Sequence, residues 1–312
     1  MLGVVWRGGG QRGGRGRGGA RGAWGAVVVG ALCVLLVAPE PARAQANAST
    51  ELKVIGANAL LGGVTAGVTA LVHGRPFLRA FGLGAAGGAI VYGGKRFMSW
   101  HGIPGSGLAG RFVGATGASM VRNGAAGRGA FDLMLLPMGP FTLYLRPPND
   151  STNAPIKLNL VRAAYLTGLV LRDDFRVDWH ASLNAGTPVF ERPGRVLFRR
   201  DDKVTLGLAI GGAVIVGDPT SMPLVNATPY GELLAHERVH VVQGDFLEIS
   251  WTGPIEQWLL GALPGGTWLR RYVEPGFLSL AIAAAGLAAM PGDVSPWEKE
   301  AEYFESAWDV GP

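Results

Sequence analysis

The residues most able to do chemistry are gathered in Ala235-His236-Glu237-Arg238-Val239-His240-Val241-Val242-Gln243, which reads H-E-x-x-H with a Gln three residues further on. On a helix, side chains four apart lie one turn along the same face, so His236 and His240 can present both imidazoles to one ion. Glu237 follows the first His at the edge of that face, where a carboxylate can act as general base toward a water at the ion. The chain has five His in 312 residues. A random sequence of this length shows the motif on the order of once in a hundred times.

A catalytic zinc takes three protein ligands and keeps one position open. The other His residues (His73, His101 and His180) lie far upstream, and Gln243-Gly244-Asp245-Phe246 stands where a third His would follow in H-E-x-x-H-x-x-G-x-x-H. The only cysteine, Cys33, falls within the N-terminal leader, so a mature chain offers no thiolate. That leaves a downstream carboxylate. Ser295-Pro296-Trp297-Glu298-Lys299-Glu300-Ala301-Glu302-Tyr303-Phe304 reads as a helix opening with acids in its first turns, and both Glu298 and Glu300 are candidates. Glu256 and Glu274 are less favoured. Tyr230, Tyr272, Tyr303 and His180 could each polarise a carbonyl, and the sequence does not choose among them.

Thr228-Pro229 supplies an N-cap and first-turn pair for the motif helix, and Gly244 can close it in the left-handed conformation. Upstream, residues 54–73 and 76–97 are apolar and Gly-rich. Small residues recur at four-residue spacing, Ala59, Gly63 and Gly67 in the first and Gly84 and Gly88 in the second. This predicts a close-packed helical hairpin, buried by the rest of the protein or inserted in a membrane. Residues 105–130 read as structural, with a helix end near Asn123 and neither a phosphate-binding loop nor a nucleophile elbow around Ser119. Between 131 and 218, short alternating runs predict an antiparallel meander. They are Phe141–Leu145, Ile156–Val161, Leu166–Leu171, Arg176–Leu183, Pro188–Phe190, Val204–Ala209 and Ala213–Val216. Leu166–Leu171 can instead continue a helix from Leu160. Ile255–Leu260 and Gly276–Met290 predict two further helices, the second packed behind the zinc helices. Trp251, Trp258, Trp268 and Trp297 are expected to line the cleft or to belong to the core, with the core favoured.

Bulk properties narrow the function. Of 28 basic and 23 acidic residues, six Arg and one Glu lie in residues 1–44, leaving 22 of each. The basicity therefore belongs to the leader, and nothing electrostatic supports a nucleic-acid partner. Residues 1–44 resemble a signal peptide: an Arg-rich start, an apolar run from Ala23 to Ala38, and Ala42-Arg43-Ala44 as the cleavage pattern, with Gln45 opening the mature chain. An uncleaved anchor is the alternative. An exported chain without cysteine must be stabilised by packing, not by disulfides.

His236-Glu237-x-x-His240-x-x-Gln243, followed by a distal Pro-x-Glu-x-Glu-Ala, resembles the gluzincin side of the zincin metallopeptidases, and is similar to bacterial HExxHxxQ proteins. The resemblance runs from Thr228 to Phe304. Gluzincins open an E-x-x-A-[DE] pattern with the third ligand. This implies Glu298 on zinc, with Glu300 as its rival, and Glu302 and Gln243 orienting the ligands from outside. Glu stands at 302 where Asp is common. Zincins also carry a sheet whose edge strand flanks the cleft, a role implied for Ala213–Val216.

The expected fold is α+β: a Gly-rich helical hairpin (45–130), an antiparallel β region (131–218) and zincin-like helices (219–312), the last two forming one domain. The expected function is that of an exported zinc metallopeptidase of the periplasm or cell envelope, acting on peptides or proteins, with membrane association through residues 54–97. The same residues allow three alternatives. They are a degenerate zincin whose metal only supports the fold, an envelope structural protein with an incidental His pair, and a zinc hydrolase of non-peptide amides.

Overall fold

The computed structural model describes residues 48–100, 103–145, 155–172, 174–194, 198–200, 203–205, 207–217, 230–289 and 295–306. The signal segment, its cleavage site and the Thr228-Pro229 cap lie outside them. The described residues open with three helices, α1 (Ala48–Val72), α2 (Phe77–Met98) and α3 (Ser106–Ala125). Glycine lets their backbones touch. A Cβ on Gly88 of α2 would overlap the carbonyl oxygen of Asn58 in α1, and one on Gly94 would lie 2.5 Å from the backbone N of Gly114 in α3. The hairpin is therefore two sides of a three-helix unit. Its contact stripe on α1 runs through Asn58 and Gly62, while Gly63 and Gly67 face the rings of Phe81 and Phe77. Among the described residues, α1 is long and apolar enough to cross a membrane, and 44% of its apolar window is buried within the protein.

Next come β1 (Met134–Met138), β2 (Phe141–Leu145) and β3 (Ile156–Asn159), then α4 (Leu160–Val170), β4 (Arg176–Val177) and α5 (Trp179–Ala185). Two expected strands stop early for one reason. Asn159 Oδ1 accepts the Arg162 N–H at 3.0 Å, and Asp178 Oδ1 accepts the Ala181 N–H at 2.9 Å. Each side chain caps a helix where strand alternation would have continued.

Strands β5 (Val189–Arg192), β6 (Phe198–Arg200), β7 (Lys203–Thr205), β8 (Gly207–Ile210) and β9 (Ala213–Gly217) complete the region. The region is an antiparallel meander in β1-β2-β3 and departs from one beyond them. One sheet has the order β4-β5-β9-β8, with β5 and β9 parallel, because the chain returns after the β6–β7 hairpin as the outer strand β8 and turns back at Gly211-Gly212 to lay β9 between β8 and β5. Ala213–Gly217 is thus an inner strand, and the edge beside the motif helix is β8.

The motif helix α6 (Tyr230–Leu247) does not end at Gly244. It runs into a π-helical turn (Glu248–Thr252) and on into α7 (Gly253–Ala262). Tertiary ion pairs hold this stretch helical. Asp245 meets Arg111 Nε at 2.9 Å and Arg162 Nη2 at 2.7 Å, and Arg162 also meets Glu248 at 2.9 Å. Then follow α8 (Gly266–Tyr272), β10 (Val273–Glu274), α9 (Phe277–Ala289) and α10 (Pro296–Ser306). β10 joins β3 in parallel, giving a second sheet of order β1-β2-β3-β10. The fold is mixed helix and strand.

The main core crosses the sequence segments. Val91 and Ala118 of the helical unit pack with Val214 and Val216 of β9 and with Val241 and Val242 of α6. α9 meets the π-helical turn that continues the motif helix, where Ser279 hydrogen-bonds to Thr252, but none of its described side chains is buried. Trp258 and Trp268 are exposed, not in the core.

Candidate metal centre

Two helices build the centre. α10 is anchored by Ala301 and Phe304, fully buried against Val239 of α6, Tyr92 of α2 and Val54 of α1. This docking turns Glu298 and Glu305, seven residues apart and so on one face, toward the His pair. Glu298 Oε2 lies 3.2 Å from His236 Nε2 and 3.3 Å from His240 Nε2, and the two Nε2 atoms are 3.1 Å apart. These three residues could hold a metal ion.

The outer ring nitrogens fix what the inner ones can do. His236 Nδ1 lies 2.9 Å from Glu305 Oε2, and His240 Nδ1 lies 2.7 Å from Gln243 Oε1. Both partners are acceptors, so both Nδ1 atoms carry a proton and, in the neutral rings, the Nε2 lone pairs point inward. The Gln243 amide is itself oriented. Its Nε2 donates to Trp297 O at 3.2 Å and to Glu300 Oε2 at 2.8 Å. Glu300 is in turn held by Lys95 Nζ at 2.6 Å and Asn58 Nδ2 at 2.7 Å, from α2 and α1. A line of hydrogen bonds thus runs from the N-terminal helices to His240.

Three electron-pair donors facing one another repel unless a cation lies between them. With protons as the only cations, burial disfavours charge on His236, yet Glu298 and Glu305 outweigh it and push the ring up to about 10. Glu298 moves the other way: burial alone would raise it, and His236 and His240 hold it well below the carboxylate range.

Glu237 differs from its neighbours. It is 5% exposed, and its Oε2 has no hydrogen-bond partner among the described residues. Burial raises its pKa against the pull of His240 and His236. Gly207 of β8 lies against it so closely that a Cβ there would overlap Oε1.

Of the expected site residues, the structure gathers His236, His240, Glu298, Glu237 and Gln243. Glu300 is not among the facing donors, because Lys95, Asn58 and Gln243 occupy its carboxylate. Glu302 is exposed, and Glu305 stands at the His ring instead. Glu256 accepts the Gly276 and Leu278 N–H groups, and Glu274 accepts Thr142 and Tyr144. Tyr230 hydrogen-bonds to Glu191 and Asp178, and His180 pairs with Asn184. The sequence reading missed Glu305, Lys95, Asn58 and Gly207. Only Glu305 carried a signal, its spacing of seven from Glu298. No protein family, curated protein or solved structure matches the chain.

Proposed function

We propose that the chain is an exported zinc-dependent peptidase with zinc held by His236, His240 and Glu298. One observation carries the reading: two Nε2 atoms and a carboxylate oxygen lie 3.1, 3.2 and 3.3 Å apart with their lone pairs turned on one another. Ligand bonds of about 2.0–2.1 Å in a tetrahedron put ligand atoms roughly 3.3 Å apart, so the donor set fits zinc in spacing and in chemistry. A bound zinc ion supplies Lewis acidity, polarising a carbonyl and lowering the pKa of water in its open position.

The protein's own residues divide the remaining work. Glu237, desolvated and with an oxygen that has no partner among the described residues, accepts a proton from the attacking water and delivers it to the leaving amine nitrogen. Glu305 and Gln243 hold the imidazoles in the tautomer that keeps Nε2 free. β8 is an edge strand packed beside α6, and an extended peptide can add to such an edge through backbone hydrogen bonds. That geometry favours a peptide over a compact substrate. The leader and the absence of thiols downstream of it support the periplasm or cell envelope as the place of action.

The test is Glu237→Gln. The variant is expected to retain zinc by elemental analysis while peptide hydrolysis falls by about a hundredfold or more. Undiminished hydrolysis would refute the assignment. A second reading, in which the metal only braces the fold, draws on the line of bonds from Lys95 through Glu300 to His240. It predicts no hydrolysis in the unmutated protein and unfolding on chelation.

A further inference from the structure

The helical unit brings three helix ends together. Gly67 meets the Phe77 ring and Gly124 lies against Ala80, so the C-termini of α1 and α3 flank the N-terminus of α2. Both C-termini close in the same way. Gly74 and Gly127 adopt positive φ, 69° and 68°. The next N–H then reaches back across the turn, Arg75 to the Ala70 carbonyl at 2.9 Å and Arg128 to the Asn123 carbonyl at 2.8 Å. These are Schellman closures, in which the residue just past the glycine is commonly apolar and packs on the helix. Here both carry arginine.

The three ends surround a cavity of about 240 Å³ lined by Arg75, Arg79 and Arg128, with Pro76, Ala80 and Leu83 as its apolar side. No acidic side chain is among the lining residues. Asp132, the nearest acid along the chain, is turned onto the Gly129 N–H at 2.7 Å. Arg75 Nη1 donates to the Ala125 carbonyl at 2.8 Å, and its stem passes Gly127, where a Cβ would lie 3.2 Å from Cδ. That guanidinium is set in place without a ligand.

Helix-end charge accounts for two of these arginines and not for the third. A C-terminus carries roughly −0.5 of a charge and an N-terminus roughly +0.5, so Arg75 and Arg128 sit where a cation is favoured. Arg79 stands in the first turn of α2, where a cation is disfavoured. The helix does not offset it, because Pro76 gives no side-chain cap and the first turn holds no acid. Three full positive charges face ends that together neutralise roughly half of one. An anion in the cavity resolves the imbalance.

We propose that this cavity binds a phosphate monoester. The three guanidiniums and the first-turn N–H groups of α2 meet the phosphate oxygens, and Pro76, Ala80 and Leu83 cover the organic group attached to it. Planar guanidiniums bind such oxygens in pairs, and a dianion matches the surplus charge. The volume is below the roughly 300–1,000 Å³ of pockets for drug-sized ligands, which suits a phosphate on a short chain such as glycerol. The same group is presented by a soluble ester or by a lipid headgroup, and α1, whose end forms the site, is long and apolar enough to cross a membrane. Asn58 and Lys95, which reach toward the metal centre, lie nearer the opposite end of α1 and α2. The site is therefore independent of the metal.

Two probes carrying this group test the assignment on the purified full chain. One is glycerol 3-phosphate, followed by titration calorimetry against glycerol alone. The other is phosphatidic acid in phosphatidylcholine vesicles, followed by co-sedimentation against phosphatidylcholine alone. Binding of glycerol 3-phosphate assigns a soluble ester; binding only of vesicles that contain phosphatidic acid assigns the headgroup. Arg79→Gln and Arg128→Gln are each expected to weaken whichever probe binds by about tenfold, the loss of one charge-assisted contact. Arg271→Gln, at an exposed arginine on α8, should leave it unchanged. Arg79→Glu separates binding from folding: a carboxylate suits a helix's first turn, so this variant should melt no lower than the unmutated protein while losing the ligand. The proposal is overturned if neither probe binds, if Arg79→Gln and Arg128→Gln bind undiminished, or if Arg271→Gln weakens binding as much as they do. Arg79→Glu that still binds, or that melts lower and so shows Arg79 serving the fold, would overturn it too.

Discussion

His236, His240 and Glu298 form a compact set because each is fixed from behind. Glu305 and Gln243 hold the rings, and Ala301 and Phe304 seat the helix that carries both glutamates. On the proposed reading, Glu298→Ala removes a ligand and lowers bound zinc well below that of the unmutated protein. Gln243→Leu and Glu305→Leu retain all three ligands and weaken zinc by about 10- to 100-fold, the usual cost of losing a ligand's outer partner. Glu302→Ala, at an exposed position, leaves zinc binding unchanged. Competition titrations with a chelator order the four variants; weak binding in Glu302→Ala with normal binding in Glu305→Leu would reverse the assignment of the outer partner.

At the scale of elements, the centre depends on helices packed with backbone against backbone. α1 must approach α2 closely for Asn58 and Lys95 to share Glu300. Gly88 sets that approach, since any side chain there meets the Asn58 carbonyl. Gly88→Ala is therefore expected to destabilise the protein by about 1–3 kcal/mol, the range for overpacking a rigid contact, despite the helix propensity gained. Gly82→Ala, where a Cβ meets nothing within 4 Å, is the matched control and should be neutral or slightly stabilising. Thermal melts of the two variants separate packing from propensity, and equal melting temperatures would remove the close-approach argument.

For the molecule as a whole, polar groups occupy the inside of one sheet and apolar groups its outside. Lys157 shows the consequence for stability. Burial brings its ammonium down to about 8 from an ordinary 10.5, although Glu274 pulls the other way. Between those two pH values the unfolded chain binds the proton and the folded chain releases it, so this residue's contribution to stability rises with pH. Below about 8 both states are protonated and the contribution is flat. Lys157→Met is expected to lose the rise between pH 8 and 10. Denaturation midpoints of the two proteins across that window measure it, and parallel curves would show that Lys157 titrates normally.

The sequence by itself determined the motif helix and its two imidazoles, because a four-residue spacing is a local property of helix geometry. It also determined the Gly-rich helices, Phe141–Leu145, the helices near 255–260 and 277–289, and a late acidic helix. It could not determine which acid of that helix faces the His pair. Glu298, Glu300, Glu302 and Glu305 lie within about two turns, and only the seating of Ala301 and Phe304 sets the rotation. β1 escaped because Met-Leu-Leu-Pro-Met is apolar on both faces and alternates in burial without alternating in polarity. β10 escaped because two residues carry no period, and its parallel pairing with β3 spans more than a hundred residues of chain. Gly244 signalled a helix end, and ion pairs to Arg111 and Arg162 on distant helices carried the helix past it. Local geometry is written in neighbouring residues. The outer partners of the His rings and the outward apolar face are set by contacts between distant segments, and those only the tertiary structure decides.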